Sequence, residues 1–235
     1  MKTYIEGDIL QVIKTIEDNS VDFIYTDPPF STTNASWDKG LDWEKLFPEM
    51  WRVLKPDGII CLYASMPFTY ELLKYEKPKY HYTWKKNNST AFMLAKKQPL
   101  RNVEEIFIYY KKTGTYNPQM VGDTKYKMDM VGSYGGQNYY GKNHKNRSKM
   151  KKDEIYSETK GHIGRYPTSL REWKIAVKRG GITRTDDQID YFIKTYSNEN
   201  ETILDMTCCD KYVGDRCEAL NRNYIGVDLD LSFMK

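Results

Sequence analysis

The sequence lacks the features that mark several classes of protein. It has four cysteines in 235 residues, and none stand in the C-x-x-C spacing of a zinc site or in a pattern typical of a disulfide framework. No apolar run approaches the roughly 20 residues that cross a bilayer. The first residues, MKTYIEGD, lack the pattern of a secretion signal. We therefore expect a soluble, intracellular protein with no metal site and no membrane partner.

A strong excess of one charge is also missing. The chain has 36 Lys and Arg against 32 Asp and Glu, and its net charge of +4 alone does not indicate binding to nucleic acid. The positive charge is nevertheless concentrated in the stretch KNHKNRSKMKK, residues 142–152. Such a run is either a solvated loop or a contact for a nucleic-acid backbone.

Short apolar runs alternate with helical patterns along most of the chain. VDFIYT (21–26) and IICLYA (59–64) are typical of buried strands, with LKPDG as a turn before the second. Helical spacing of apolar residues covers 42–54 and 186–196. This alternation predicts an α/β fold with a central, mostly parallel sheet. Ligands of such sheets bind at the carboxyl ends of the strands, where Asp8 and Asp27 stand.

Residues 112–170 differ from the rest in composition. They are rich in Gly, Asn, Lys, Tyr and Ser and have no sustained periodicity, which predicts an inserted, loop-rich module. We place this inserted region at 111–160. The remaining segments, 1–110 and 161–235, are expected to form one catalytic domain.

The tetrapeptide Asp27-Pro28-Pro29-Phe30 directly follows the predicted strand 21–26. Such a string arises by chance in on the order of a few chains in a thousand of this length. It is either a stiff turn, since proline cannot continue a strand ladder, or a catalytic segment that orients a poorly nucleophilic amine. In the second case the Asp27 carboxylate accepts one N–H and the Pro28 carbonyl, fixed by the proline ring, accepts the other. Phe30 stacks on the ring that carries the amine.

This motif and the segments around it resemble the beta group of DNA amino-methyltransferases. The similar segments are SVDFIYTDPPF, WRVLKPDGIICLYAS, HYTWKKNN, VEEIFIYYKK, RYPTSLREWK, FIKTYSNENETILDMT and LNRNYIGVDLD. They cover nearly the whole chain, and the inserted region 111–160 is the least similar part. In that group the catalytic segment lies near the amino end and the cofactor strand follows the target-recognition region, and this chain has the same circularly permuted order.

The resemblance implies a Rossmann-like, S-adenosylmethionine-dependent methyltransferase fold with an inserted target-recognition region. It implies transfer of a methyl group to N6 of adenine in duplex DNA, with the target base flipped out of the helix. Adenine enzymes of this type usually begin the tetrapeptide with aspartate, as here, rather than with serine. Lys142, Lys145, Arg147 and Lys149 then become the candidate DNA-binding residues.

Site roles follow from the same resemblance. Asp8 would lie near the adenine moiety of the cofactor, Asp205 ends the first cofactor strand, and Asp228 would bond the ribose hydroxyls. The full set of implied cofactor-binding residues is Asp8, Ile9, Asp27, Thr185, Asp205, Thr207, Cys208, Gly214 and Asp228.

Two segments depart from the family pattern. After LDMT, Thr207 replaces an aromatic residue, Cys209 and Lys211 replace two glycines, and only Gly214 remains. Either this loop takes another path, or affinity for the cofactor has fallen. Before residue 186 the family's His-Pro-Thr-Gln-Lys-Pro string is ITRTDD. It is either a plain helix cap at Thr185 or Asp186, or a place where Arg184 and Thr185 approach the methionine end of the cofactor.

Two other functions remain open at this point. One is an RNA adenine-N6 methyltransferase, because such enzymes also use an Asp-Pro-Pro-aromatic tetrapeptide. The other is a nucleic-acid-binding partner subunit whose altered cofactor loop has lost catalysis. The expected partner is double-stranded DNA. The resemblance also allows a homodimer and a cognate restriction endonuclease that forms no stable complex with the protein.

Overall fold

The computed structural model describes residues 1–125, 163–178 and 181–232. The chain divides into two compact units. The first comprises Met1–Asn117 and Thr168–Lys235, and the second comprises Pro118–Pro167. No helix among the described residues is long and apolar enough to cross a membrane.

Twelve strands are found in the described residues. They are β1 (Lys2–Glu6), β2 (Val21–Thr26), β3 (Leu54–Ala64), β4 (Tyr80–Thr90), β5 (Arg101–Tyr109), β6 (Val121–Lys125), β7 (Ile163–Arg165), β8 (Leu170–Trp173), β9 (Ala176–Lys178), β10 (Gly181–Thr183), β11 (Thr202–Asp205) and β12 (Asn223–Asp228). Eight of them form the main sheet, in the order β1-β12-β11-β2-β3-β5-β4-β8. Strands β9 and β10 form an antiparallel pair in the same unit.

The main sheet is parallel from β1 to β3 and at its far edge, and β5 runs antiparallel to both neighbours. Together with the flanking helices, this confirms the predicted α/β fold. Strands β11 and β12 lie between β1 and β2, so the sheet centre combines both ends of the chain. The circularly permuted motif order requires such a sheet.

Five α-helices flank the main sheet among the described residues. They are α1 (Ile9–Val12), α2 (Trp43–Val53), α3 (Phe68–Tyr75), α4 (Asp186–Tyr196) and α5 (Tyr212–Ala219). Alternate residues of β2 face opposite sides of the sheet. Ile24 joins the core under α1, α2 and α3, whereas Phe23 and Tyr25 join the core under α4. Both faces are covered, which explains why VDFIYT is apolar almost throughout.

Some boundaries differ from the sequence-based expectation. LKPDG is not an isolated turn but the beginning of β3, because Leu54 is buried and pairs with Val21 before the register shifts to Phe23 and Ile59. Residues 111–117 pack with the first unit. The backbone N–H of Asn117 donates to the Thr195 carbonyl, and the Tyr116 ring lies beside the Tyr196 ring.

The second unit contains the pair β6 and β7, which run antiparallel. Most of the predicted inserted region, including Lys142, Lys145, Arg147 and Lys149, lies outside the described residues. Its role in target recognition and DNA binding therefore stays a prediction.

Candidate active site

The aspartates singled out in the sequence stand at the carboxyl ends of neighbouring strands. Asp228 is the last residue of β12, Asp205 is the last of β11, and Asp27 follows β2 directly. Asp8 comes after β1, next to β12 in the sheet. Because these strands are parallel, all four residues lie at one edge of the sheet, where α/β proteins bind ligands.

The Asp27 carboxylate forms an ion pair with an arginine that is distant from it in the sequence. Arg184 lies between β10 and α4, and its Nη2 is 2.6 Å from Asp27 Oδ2. The Asp27 carbonyl accepts a hydrogen bond from Thr207 Oγ1 at 3.2 Å, which ties the tetrapeptide to the loop after β11. Among the described residues, Asp27 Oδ1 has no hydrogen-bond partner. The Asp27 side chain stays 37 % exposed, so a ligand can reach the carboxylate.

Asp27 is electrostatically unusual. Desolvation raises its pKa to about 6, the Arg184 guanidinium opposes that rise, and the negative charge of Glu104 adds to it. Asp27 is therefore mainly an anion at neutral pH but gains a proton in mildly acidic solution. A hydrogen-bond acceptor with a pKa in this range is a common feature of active sites.

Two further charges complete a network around Arg184. Glu104 on β5 receives Arg184 Nη2 on Oε2 at 3.2 Å and Lys86 Nζ, from β4, on Oε1 at 2.8 Å. The side chains of Lys86, Glu104 and Arg184 are 5 %, 13 % and 11 % exposed, so all three are largely withdrawn from water. Two cations and two anions alternate, so each buried charge has an opposite neighbour.

Sequence reasoning missed this network. The sequence offered the local signals, two lysines after Trp84 and two glutamates after Val103, but charged residues on strands are ordinarily solvent-exposed. The sequence leaves open whether Arg184 approaches the cofactor, and in the structure Arg184 pairs with Asp27.

Phe30 packs face to face with Phe68 from α3. The ring centroids are 5.2 Å apart and the planes differ by 19°. Phe30 is half-buried, Pro29 is half-buried and Pro28 is buried. Phe68 thus supports one face of the Phe30 ring, and the half-buried ring also packs against both hydrophobic cores, which holds it in a fixed plane.

Asp38 fixes the loop that leaves the tetrapeptide, a role the sequence analysis did not assign. Its carboxylate accepts the backbone N–H groups of Ser31, Thr32 and Thr33 at 2.7, 2.9 and 2.6 Å. Burial alone would raise the pKa of Asp38, but these hydrogen bonds and that of the Thr33 hydroxyl outweigh it, and the pKa falls. The ionised carboxylate holds the segment after Phe30 in place.

Asp205 lies deeper than the other acids. It is 3 % exposed and accepts hydrogen bonds from the Thr207 backbone N–H and the Tyr224 hydroxyl, both at 3.2 Å. Burial raises the pKa of Asp205 to about 8. It is therefore largely protonated at neutral pH and organises the loop after β11 as a hydrogen-bonding group rather than as a charge.

The altered cofactor loop is joined to Asp228. Cys209 has φ 39°, the left-handed conformation that favours glycine, and its N–H donates to Asp228 Oδ2 at 3.0 Å. Cys208 is buried, and its N–H donates to the Val227 carbonyl at 3.0 Å. Cys209 thus retains a backbone conformation typical of glycine at a position where the family usually has one.

The remaining candidate cofactor residues have clear local roles. Asp8 caps α1, with its Oδ1 accepting the Leu10 N–H at 2.9 Å, and the Ile9 side chain belongs to the core. Thr185 occupies the N-cap of α4, as predicted, but its side chain makes no cap hydrogen bond.

Gly214 is confined by packing. A Cβ placed there would lie 2.9 Å from Tyr224 Cε1 and would also collide with the Tyr4 hydroxyl. The close packing of α5 against the sheet therefore explains why a glycine is needed at this position. The role of Gly214 in cofactor binding stays a prediction.

Chemically, this edge of the sheet offers an oriented carboxylate beside an aromatic ring and a second carboxylate beside a backbone loop. Among the described residues, no group of three or more His, Cys, Asp or Glu side chains is placed to hold a metal ion.

Comparison with known proteins gives similarity of both sequence and fold. The chain is 26 % identical to the type II methyltransferase M.BamHI of Bacillus amyloliquefaciens over 238 aligned residues, 95 % of this chain and 53 % of that protein. It is 32 % identical to M.HpaI of Haemophilus parainfluenzae over 87 residues, 32 % of this chain and 28 % of that protein. The chain thus spans about half the length of M.BamHI, and the match to M.HpaI is confined to one segment of each protein.

Solved structures share the fold at low sequence identity. The M1.HpyAVI–SAM complex matches with a TM-score of 0.58 and 16 % identity, over 99 % of this chain and 95 % of that one. The cytosine-N4-specific PvuII DNA methyltransferase matches with a TM-score of 0.63 and 11 % identity, over 99 % and 83 %. These similarities confirm the methyltransferase-like fold.

The family is established by sequence. The profile of the N6_N4_Mtase family, described as DNA methylase, matches residues 21–235, which include the tetrapeptide, β11 and β12. Because this match spans most of the chain, the protein belongs to the N6_N4_Mtase family of DNA methylases.

Proposed function

We propose that this protein is an S-adenosylmethionine-dependent DNA methyltransferase that acts on N6 of adenine. The observation that carries the proposal is the partly exposed Asp27 carboxylate at the end of β2, with Oδ2 held by Arg184 and Oδ1 left without a hydrogen-bond partner among the described residues. Membership in a family of DNA methylases supports it independently.

The chemistry requires an acceptor at this place. The lone pair of an exocyclic amino nitrogen is delocalised into the base, so the nitrogen must become more tetrahedral before it attacks a methyl sulfonium. Asp27 Oδ1 can accept one N–H and the Pro28 carbonyl the other, which favours that geometry. Orientation by fixed groups accounts for most of the catalysis, and no strong base is needed.

Aspartate at position 27 supports adenine over cytosine. The fold does not decide between them, since a similar fold belongs to a cytosine-N4-specific enzyme. Adenine enzymes of this type usually have aspartate at the first position of the tetrapeptide, and this chain has it. A target base inside a duplex cannot reach Asp27, so the base flips out and stacks on the part of the half-buried Phe30 ring that stays accessible.

The residues at the other strand ends fit S-adenosylmethionine. The half-buried Asp228 carboxylate suits ribose hydroxyls, and Asp8 stands at the end of the neighbouring strand. Thr207 and Cys208 lie between these acids and Asp27 in the loop after β11. When bound, the cofactor supplies an electrophilic methyl group, and the chain's own residues hold and orient the amine toward it.

The test is methylation of random-sequence duplex DNA with isotopically labelled S-adenosylmethionine, followed by mass spectrometry of the nucleosides. We expect labelled N6-methyladenine and at least about a hundredfold loss in Asp27→Ala, a size typical of removing one transition-state hydrogen bond. Asp18→Asn, a surface carboxylate paired with Arg52, is the matched control and should retain activity. Labelled N4-methylcytosine would overturn the choice of base.

Two arms of the same experiment address the other functions. Single-stranded RNA replaces DNA in one arm, and methylation of RNA alone would indicate an RNA enzyme. Isothermal titration with S-adenosylmethionine forms the second arm. The Cys209 backbone, which keeps a glycine-like φ, supports a binding-competent loop, whereas the absence of heat would favour a partner subunit without catalysis.

Double-stranded DNA is the proposed partner. The homodimer and the cognate restriction endonuclease remain predictions from the resemblance. Light scattering on the purified protein, with and without a duplex, tests the oligomeric state directly.

A further inference from the structure

The ion pair of Asp27 is unusual in where its arginine comes from. Arg184 belongs to the segment before α4 that departs from the family pattern. The residues of this segment in this chain therefore differ from those that the family usually has there. The Arg184 side chain spans two anions, Asp27 at 2.6 Å and Glu104 at 3.2 Å.

Two aromatic rings contact the Arg184 guanidinium in addition to the two carboxylates. The guanidinium carbon lies 4.5 Å from the centroid of the Tyr63 ring and 4.8 Å from that of Trp84. Both rings are themselves fixed. The Tyr63 hydroxyl is 2.9 Å from that of Tyr25, and Trp84 Nε1 donates to the Trp173 carbonyl at 3.0 Å. Cation–π contacts of this kind are strongest where water is excluded.

A simple stabilising ion pair would not need this arrangement. Buried ion pairs contribute little net stability, because desolvation offsets their attraction. Arg184 Nε is also buried without a hydrogen-bond partner among the described residues, which is unfavourable. The arrangement therefore restricts the direction of the Asp27 carboxylate at the expense of stability, as is common at active sites.

We propose that Arg184 is a positioning residue for methyl transfer, which holds Asp27 Oδ2 so that Oδ1 faces the target amine. Lys86 and Glu104 act one step further away, since Glu104 anchors the guanidinium and Lys86 neutralises Glu104. This inference rests on the proposed function, in which Asp27 accepts the N–H of the base.

The pH response of Asp27 gives a readout that a merely structural role would not move. The groups that act on Asp27 or respond to its charge come from several elements; they are Arg184, Lys86, Glu104, Asp205, Tyr25, Cys61 and Cys209. Arg184 and Lys86 lower the pKa of Asp27, whereas Glu104 raises it. Removing Arg184 and removing Glu104 should therefore shift the titration in opposite directions.

The experiment compares Arg184→Gln, Arg184→Lys and Glu104→Gln with the wild-type chain. In Arg184→Gln we expect kcat to fall about a hundredfold, the effect of a misplaced catalytic group, with little change in KM for DNA. The acid limb of the pH–rate profile should move up by roughly 1–3 pH units. Glu104→Gln should move it down. Arg184→Lys keeps the charge, so the limb should stay near its original pH with partial recovery of kcat.

Arg216→Gln is the matched control, because it removes a guanidinium paired with Asp190 on α4 but has no contact with Asp27. Thermal melting of every variant shows whether a loss of activity comes from unfolding or from a misplaced Asp27 carboxylate. Wild-type kcat and an unmoved acid limb in Arg184→Gln would overturn the proposal, as would parallel shifts in Arg184→Gln and Glu104→Gln.

A readout without turnover keeps this test distinct from that of the proposed function. Carbon-13 NMR of labelled aspartate, with Asp27→Asn as the assignment control, measures the Asp27 titration directly. If the wild-type chain methylates DNA and the Asp27 titration does not move in Arg184→Gln, only the positioning role fails. If the titration moves but no substrate is methylated, the electrostatic link stands and the proposed function fails.

Discussion

Cys209 donates its backbone N–H to the Asp228 carboxylate at 3.0 Å while its φ of 39° is in the left-handed region. A side chain in this conformation destabilises the backbone by roughly 1–2 kcal/mol relative to the right-handed region. Glycine adopts the conformation without that penalty but loses more entropy on folding. The loop after β11 is therefore both strained and tied to the strand end that we assign to the cofactor.

Cys209→Gly should raise the free energy of unfolding by about 0.5–1 kcal/mol, because relief of the strain exceeds the added entropy. It should also strengthen binding of S-adenosylmethionine, since glycine lets a ligand approach the backbone. Urea unfolding and isothermal titration measure the two effects. Cys208→Gly is the control and should destabilise the protein, because Cys208 is buried. A less stable Cys209→Gly protein would contradict the strain argument.

Asp228→Ala should weaken S-adenosylmethionine binding by roughly 10- to 100-fold, the loss expected for hydrogen bonds to a charged group. DNA affinity without cofactor should stay unchanged, because the proposed ligand is the ribose. Titration calorimetry and DNA-binding anisotropy separate the two. Asp230→Ala, two residues away and exposed, serves as the comparison. If DNA binding collapses instead, Asp228 is structural.

Phe30→Ala should weaken productive DNA binding by roughly 1–3 kcal/mol, the usual contribution of one stacked base. The readout is the fluorescence of 2-aminopurine placed at the mapped target position, which reports the flipped state. Phe68→Leu keeps an apolar neighbour but loses the stacked ring, and it should give a smaller change in the same direction. Unchanged fluorescence in Phe30→Ala would exclude Phe30 as the stacking ring.

Asp205 should make the protein less stable as the pH rises. Its pKa is about 8 in the fold and its ordinary value is 3.8, so between these values the folded chain holds a proton that the unfolded chain has released. The free energy of unfolding therefore falls as the pH increases through that interval. Urea unfolding at pH 5 and pH 9 should show a smaller loss for Asp205→Asn than for the wild-type chain. An equal loss in both proteins would show that Asp205 is ionised in the fold.

The basic run should hold the DNA backbone. Replacing Lys145, Arg147 and Lys149 with alanine should flatten the slope of log affinity against log salt by about 0.9 per lost phosphate contact, about 2.7 in total. The methylated sequence should stay the same, because phosphate contacts carry no base identity. An unchanged slope would remove this run from the interface, and a relaxed target site would mean that the side chains reach base edges.

The regular elements followed from the sequence because their patterns are local. The expected bounds of β2 and α4, 21–26 and 186–196, agree with the structure. Both elements are largely buried, so their apolar residues form clear patterns in the sequence. The sheet edge that carries Asp27 followed from the parallel order of the strands. The resemblance to the beta group, which rested on the tetrapeptide and its flanking segments, is confirmed by the family match.

The partners of Asp27 did not follow from the sequence. Arg184 reaches the site through the chain path between β10 and α4, and no periodicity encodes that path. Glu104 lies opposite Trp84 in the register of β4 and β5, and Lys86, two residues further along β4, reaches Glu104 from there. The backbone angle of Cys209 could not be predicted either. The loss of a glycine predicts either a different loop path or weaker cofactor binding, and in the structure the cysteine adopts the strained φ.

The position of β11 and β12 between β1 and β2 has a consequence during synthesis on the ribosome. The strand that leads to Asp27 is made early, but its neighbour β11 emerges only after most of the chain has left the exit tunnel. Until then β1 and β2 have unpaired backbone N–H and C=O groups, which can form hydrogen bonds with the wrong strand or with another chain. A chain halted before β11 has Asp27 but not Asp205 or Asp228. Under the function that we propose, an unfinished copy therefore lacks the residues assigned to the cofactor and should not transfer methyl groups.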